Sequence, residues 1–251
     1  MPKIPSLEAM MKAGVHFGHP KAKWHPKMAP FIFTHKNKVH IINLEQTQVQ
    51  LEKVLGFIKE TAARGGVILF LGTKKQAQGI VKEAATKCGM PYITERWLGG
   101  TLTNSRSVLA LAQKYKRMKT ERDKGLLERY TKRERLKYER KIDKLEPLVG
   151  GIEDMKKIPD AVFVVDVKNE KTAVVEANKV NVPVAALCDT NINPSRIAYP
   201  IPANDDAIKS IKLLTDLVAE AVLEGKASAK APSTVTPAAK PVEKAAAPVQ
   251  Q

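Results

Sequence analysis

Between Gly14 and Met28 the chain reads GVHFGHPKAKWHPKM, interleaving His16, His19 and His25 with Phe17, Trp24, Lys21, Lys23 and Lys27. Lysine stems carry charge to phosphates, and exposed aromatic or imidazole rings stack on unpaired bases. The same residues also fit a basic surface loop with Phe17 and Trp24 tucked into a core. Metal ligation is a third chemistry, because His16-x-x-His19 with His25 nearby offers three imidazoles, and His35 and His40 follow. Structural zinc sites usually add thiolates, neither Cys88 nor Cys188 lies near, and HExxH is absent. The expectation is no metal and no cofactor.

Three further stretches carry polar groups in suggestive places. In Leu71-Gly-Thr-Lys-Lys-Gln an apolar run gives way to a helical pattern, so Lys74 and Lys75 would stand at a helix N-terminus, a sound phosphate site. Neither GxxxxGK[ST] nor GxGxxG is met, which weakens a nucleotide site; an RNA phosphate uses the same physics without a pocket. Glu95–Arg106 (ERWLGGTLTNSR) offers Arg96 and Arg106 as phosphate partners and Thr103 or Asn104 as a helix cap, although a tight turn with Trp97 buried fits equally well. Asp166 and Asp189 follow strand-like runs, and Asp205 and Asp206 follow later. Such carboxylates could hold magnesium, but no nucleophile, base or phosphate loop accompanies them, and structural roles are favoured.

The elements that must position these groups alternate. Val67–Leu71, Ala161–Val165 and Val184–Leu187 are short branched apolar runs, as in strands buried on both faces, and Tyr92–Thr94 and Ile197–Tyr199 are weaker candidates. Helical patterns lie between them at Gln46–Ala63, with Val49, Leu51, Val54, Leu55 and Ile58 on one face, at Lys75–Lys87 and at Lys171–Val180. A last helix is expected from a cap at Asn204 to a stop at Gly225, with Ile208, Ile211, Leu214, Leu217, Val218, Ala221 and Val222 as its packing stripe. The alternation predicts a doubly wound α/β fold, a parallel sheet with helices on both faces.

Residues 106–149 break that rhythm. Val108, Leu111, Tyr115 and Met118, then Tyr138, Ile142, Leu145 and Val149, follow the 3- and 4-residue spacings of a coiled-coil seam, with Gly125 between the halves. They predict an inserted antiparallel helical hairpin that projects and that the sheet can fold without. The organisation expected is a basic segment at 1–45, a sheet domain from 46–105 and 150–225, the hairpin at 106–149, and a disordered Ala/Pro/Lys tail at 226–251.

The net charge of +16 in 251 residues is partitioned the same way. Residues 1–40 hold 7 Lys against 1 Glu, residues 113–145 hold 14 Lys/Arg against 6 Asp/Glu, and residues 226–251 hold 4 Lys against 1 Glu. The remainder is close to neutral, so the attraction for a polyanion belongs to appendages. Two distant cysteines argue for reduced packing residues, and the start Met-Pro-Lys-Ile-Pro lacks a signal-peptide core. A cytoplasmic protein without a membrane partner is expected.

Taken in order, GVHFGH with its Trp-His-Pro-Lys-Met stretch, FLGTKKQA, ERWLGGTLTN and DTNINPSRIAYPIPANDDAIKSI resemble the signatures of the bacterial small ribosomal subunit protein two family, across residues 4–225. The resemblance implies a flavodoxin-like body with an inserted helical hairpin, bound to 16S-type ribosomal RNA on the solvent side of the small subunit. It also implies contact with other small-subunit ribosomal proteins, recruitment of the large multi-OB small-subunit protein one, and no small-molecule substrate. RNA-contact positions carried over from the matched motifs are His16, His19, Lys21, Lys23, Trp24, His25, Lys27, Lys74, Lys75, Arg96, Asn104 and Arg106. The alternative is a nucleotide- or metal-dependent phosphoryl-transfer protein of flavodoxin-like fold, using Lys74, Asp166 and Asp189.

Overall fold

The structure, a computed structural model, describes residues 2–229, apart from the Arg129 side chain. Five strands form the parallel sheet: β4 (Ile68–Leu71), β5 (Tyr92–Ile93), β6 (Ala161–Val164), β7 (Val184–Cys188) and β8 (Tyr199–Pro202). Their spatial order is β5-β4-β6-β7-β8, the flavodoxin-like order, so the chain reverses direction across the sheet between β4 and β6. Every residue of β4, β6 and β7 is buried, as the unbroken apolar runs require. Pro200 and Pro202 lack the N–H a central strand needs, and β8 lies at the edge.

Side chains alternate along a strand, and here the alternation separates two cores. Ile68, Phe70, Phe163, Ala185 and Leu187 point to one face, covered by α2 (Leu44–Ala63), α3 (Lys75–Cys88) and α7 (Ile208–Ala229). Leu69, Leu71, Val162, Val164 and Ala186 point to the other. That second face is covered by α6 (Lys171–Lys179) and by the lower halves of α4 (Ser105–Asp123) and α5 (Lys132–Val149).

α4 and α5 are joined through αL Gly125, and the base of the pair is part of the core. Val108, Ala112, Tyr115, Met118, Ile142 and Val149 are buried against the sheet side, with Leu111 only half-buried. Only the distal part, through Thr131–Lys137, stands in solvent. Tyr138 donates to Glu121 at 3.0 Å across the two arms, and the Thr131–Glu134 capping box starts the returning helix.

Several boundaries differ from expectation for local reasons. Asn43 caps α2, its Oδ1 accepting from the Glu45 and Gln46 amides, so the helix starts two residues before Gln46; Val49 turns outward. Asn204 Oδ1 accepts from the Asp206 and Ala207 amides, an Asx turn feeding α7, whose first residue Ile208 is exposed. Gly225 does not end α7. It lies inside the helix where a Cβ would collide with the Lys59 carbonyl and Ala62 of α2, so its role is close helix approach. Lys226, assigned to the tail, donates to the Cys88 and Gly89 carbonyls at the end of α3. The rest of the expected tail, residues 230–251, lies outside the described residues.

The N-terminal segment folds into more than a loop. α1 (Leu7–Ala13) runs from a Ser6 cap to αL Gly14, and β1 (Phe17–Pro20), β2 (Ile32–Lys36) and β3 (Val39–Ile42) form an antiparallel sheet ordered β1-β3-β2. Asn37 and Lys38, both at positive φ, make the tight β2–β3 turn. Cys88 and Cys188 are buried and unpaired. No helix among the described residues is long and apolar enough to cross a membrane.

Candidate nucleic-acid interface

The antiparallel unit sits on the C-terminal edge of the parallel sheet, where open α/β proteins place their ligands. Four contacts dock it: the His19 amide donates to Thr190 Oγ1 at 2.9 Å, the His25 amide to the Thr190 carbonyl, the Asn204 amide to the Val15 carbonyl, and Asn204 Nδ2 to the Gly14 carbonyl. Gly18 must be glycine here, because a Cβ would meet the Thr190 side chain at 2.7 Å. The crevice is thus covered by the protein's own chain.

Beneath the cover lies a charged cluster built from the loops after four elements. Lys74 follows β4, Asp166 follows β6, Asp189 follows β7, and Asp205 and Asp206 follow β8. The Lys74 ammonium is 3.3 Å from Asp166, 3.0 Å from Asp205 and 2.6 Å from Asp206, with its side chain only 13% exposed. Burial works against its charge, yet hydrogen bonds and attraction from Asp206, Asp205 and Asp166 outweigh that and raise its pKa. Burial and the neighbouring Asp166 and Asp189 charges push the Asp205 carboxyl up, against the pull of Lys74. His19 Nδ1 lies 2.9 Å from Asp189 Oδ2, and that carboxylate raises the imidazole pKa against burial.

Beside the α3 N-terminus, a candidate phosphate site by sequence, stands an internal carboxylate. Glu170 Oε1 accepts from the Thr73 amide at 3.0 Å and from Thr73 Oγ1 at 2.5 Å. Lys74 is accordingly removed from the solvent-facing cations, whereas Lys75 is exposed.

The remaining predicted positions divide by exposure. Lys21, Lys23, Lys27, Arg96, Asn104 and Arg106 are exposed, as is Trp24 at 38%. His16 and His25 are half-buried, and His19 turns toward Asp189. Trp24 lies against His40, ring centroids 5.3 Å apart, and the Lys21 amide donates to the Lys38 carbonyl, which brings the β2–β3 turn beside the first lysines. Burial first, then the nearby His35 and Lys21 charges, lower the His40 pKa. The three histidines singled out by spacing do not converge into one site.

Sequence reasoning missed the group that shapes the ERWLGGTLTN loop. Glu176 of α6 is buried and accepts from Trp97 Nε1, from the amides of Gly100, Leu102 and Thr103, and from Thr103 Oγ1. Burial opposes its charge, but these donors prevail and hold the carboxyl below its usual range. The loop turns about this anion and leaves Arg96, Asn104 and Arg106 outside. Asn104 does not cap α4 with its side chain; its Oδ1 accepts from Ser107 Oγ instead. The readable signal was a lone glutamate at a core position of α6, between Val174 and Ala177.

Fold and surface define a class: a flavodoxin-like α/β protein whose ligand edge is closed by its own N-terminal unit and whose cations sit on that unit and on a helical hairpin. The chain belongs to the ribosomal protein S2 family, whose family model matches residues 10–225. It is by that membership a structural ribosomal protein of the small subunit, a component of the ribonucleoprotein that carries out translation, in a family that is generally non-enzymatic.

Proposed function

We propose that the chain binds 16S-type ribosomal RNA through the exposed cations and rings of its N-terminal unit and hairpin, and that it acts as a structural element without catalysing a reaction. The observation that carries this reading is the exposed group Lys21, Lys23, Trp24 and Lys27 beside Lys36 and Lys38. Lysines there neutralise phosphates, and a half-exposed indole supplies a stacking face. Lys75, Arg96, Asn104 and Arg106 extend the contact, and the hairpin adds a further cationic arm.

Contacts with neighbouring small-subunit proteins, the multi-OB protein one among them, rest on the family resemblance. They find support in an apolar groove of about 270 Å³ lined by Leu7, Met11, His16 and the 74%-exposed Phe33. The phosphoryl-transfer alternative is disfavoured because Lys74 is held by three carboxylates.

The test is binding of purified protein to a small-subunit rRNA fragment across a salt series. Replacing Lys21, Lys23 and Lys27 by Ala should lower the salt slope by about 2–3, at roughly 0.7–0.9 per phosphate contact. Trp24→Ala should cost about 1–3 kcal/mol if a base stacks there. Unchanged affinity and slope in the triple variant would overturn the reading.

A further inference from the structure

We propose that the outer face of α2, where it meets the edge strand β8, is a docking surface for an arginine-bearing basic segment of another protein. A groove of about 450 Å³ lies there, lined by Phe57 of α2 and Tyr199 of β8. Their rings stack with centroids 4.1 Å apart and planes at 14°. Both are half-buried and pack against the first core, which fixes their orientation. Val49, 48% exposed, lines the same groove about two helical turns before Phe57.

Charge decides what kind of partner fits. Glu52 and Glu60 also line the groove, both are exposed, and neither forms an ion pair among the described residues. Lys53 stands beside them, so two carboxylates face one ammonium in a chain whose net charge is +16. The cation-rich N-terminal unit and the distal part of α4 and α5 lie elsewhere, the latter on the opposite face of the sheet. This face therefore repels a polyanion and attracts a cationic segment. The stacked rings favour guanidinium over ammonium, because a planar Arg lies on an aromatic face and still offers donors to carboxylates beside it.

Backbone chemistry rules out another mode of docking. A partner strand cannot extend the sheet beyond β8, since Pro200 and Pro202 have no N–H to offer it. The Pro202 carbonyl already accepts from Thr47 Oγ1 at 2.6 Å, a bond that also ties α2 to β8 and preforms the groove. Recognition thus falls to side chains. Glu52 and Glu60 are about 12 Å apart along the helix axis at 1.5 Å per residue. Two arginines four residues apart in an extended segment span about 13 Å and match that spacing. The inference does not rest on the RNA reading, because none of these residues belongs to the proposed RNA contacts.

The test is an NMR titration of the full chain with the peptide Gly-Arg-Gly-Gly-Gly-Arg-Gly at low salt. Saturable shift changes are expected at Val49, Gly56, Phe57 and Tyr199. Exchanging both arginines for lysine should weaken binding about two- to fivefold, as should Tyr199→Leu. Glu52→Gln combined with Glu60→Gln should weaken it about three- to tenfold, and Lys53→Gln should tighten it about two- to fivefold. The Lys53 change is on an exposed side chain, so it keeps the proposal falsifiable if Tyr199→Leu misfolds. The double glutamate variant should bind an rRNA fragment as the unaltered chain does. Lysine binding as tightly as arginine, affinity indifferent to the Glu52, Glu60 and Lys53 changes, or shifts confined to Asp166 and Asp206 would overturn it. So would an rRNA fragment shifting the same groove resonances, or self-association of the chain that is lost in the double glutamate variant, which would assign the groove to a second copy.

Discussion

At the scale of single residues, Glu176 and Gly18 do more to shape the surface than the cations displayed on it. Glu176→Ala leaves the Trp97, Gly100, Leu102 and Thr103 donors without their acceptor, and a loss of about 2–4 kcal/mol is expected in chemical denaturation. Its folded pKa is depressed, so its contribution is full above the carboxyl's ordinary, unfolded value. It disappears as pH falls through the lower, folded value. An acid titration of stability should therefore lose a component in Glu176→Gln relative to the unaltered chain; parallel curves would count against it. Gly18→Ala should displace β1 from Thr190 and expose the cluster beneath, visible as faster amide exchange at His19.

Among the elements, the hairpin is where expectation and structure part most usefully. Seam spacing found both helices and the Gly125 turn, because a 3- and 4-residue repeat survives any surroundings. It could not tell that the same stripe faces the sheet. Deleting 106–149 should therefore unfold the domain, since it removes Tyr115, Ile142 and Val149 from the second core. Replacing only 120–136 with a short glycine-rich turn should keep the fold and weaken RNA binding. Circular dichroism and a salt-series binding curve separate the two outcomes.

The N-terminal strands were less legible. Ile32–Lys36 and Val39–Ile42 carry branched residues about the Asn37–Lys38 turn, but the prolines and histidines around them obscure the period. The five-stranded sheet was readable because buried parallel strands are written as bare apolar runs. Its edge strands, two and four residues long, gave only weak signals, at Tyr92–Thr94 for one and touching the other only at Tyr199. The contacts of His19, Lys74 and Glu176 with residues more than 70 positions away could not be seen, because no local pattern records them.

For the molecule as a whole, two cores on one sheet support a neutral body, and the cationic surface is carried by what is attached to it. The N-terminal attachment has a consequence in time. Its partners Thr190 and Asn204 lie 171 and 190 residues downstream of His19 and Gly14. At about 5–20 residues per second, roughly 10–40 s separate the emergence of the basic segment from the synthesis of the surface that receives it. Throughout that interval Lys21, Trp24 and Lys27 are presented on a nascent chain that has nowhere of its own to settle. The first part made is among the last to be fastened, and a nearby polyanion meets it before the rest of the protein does.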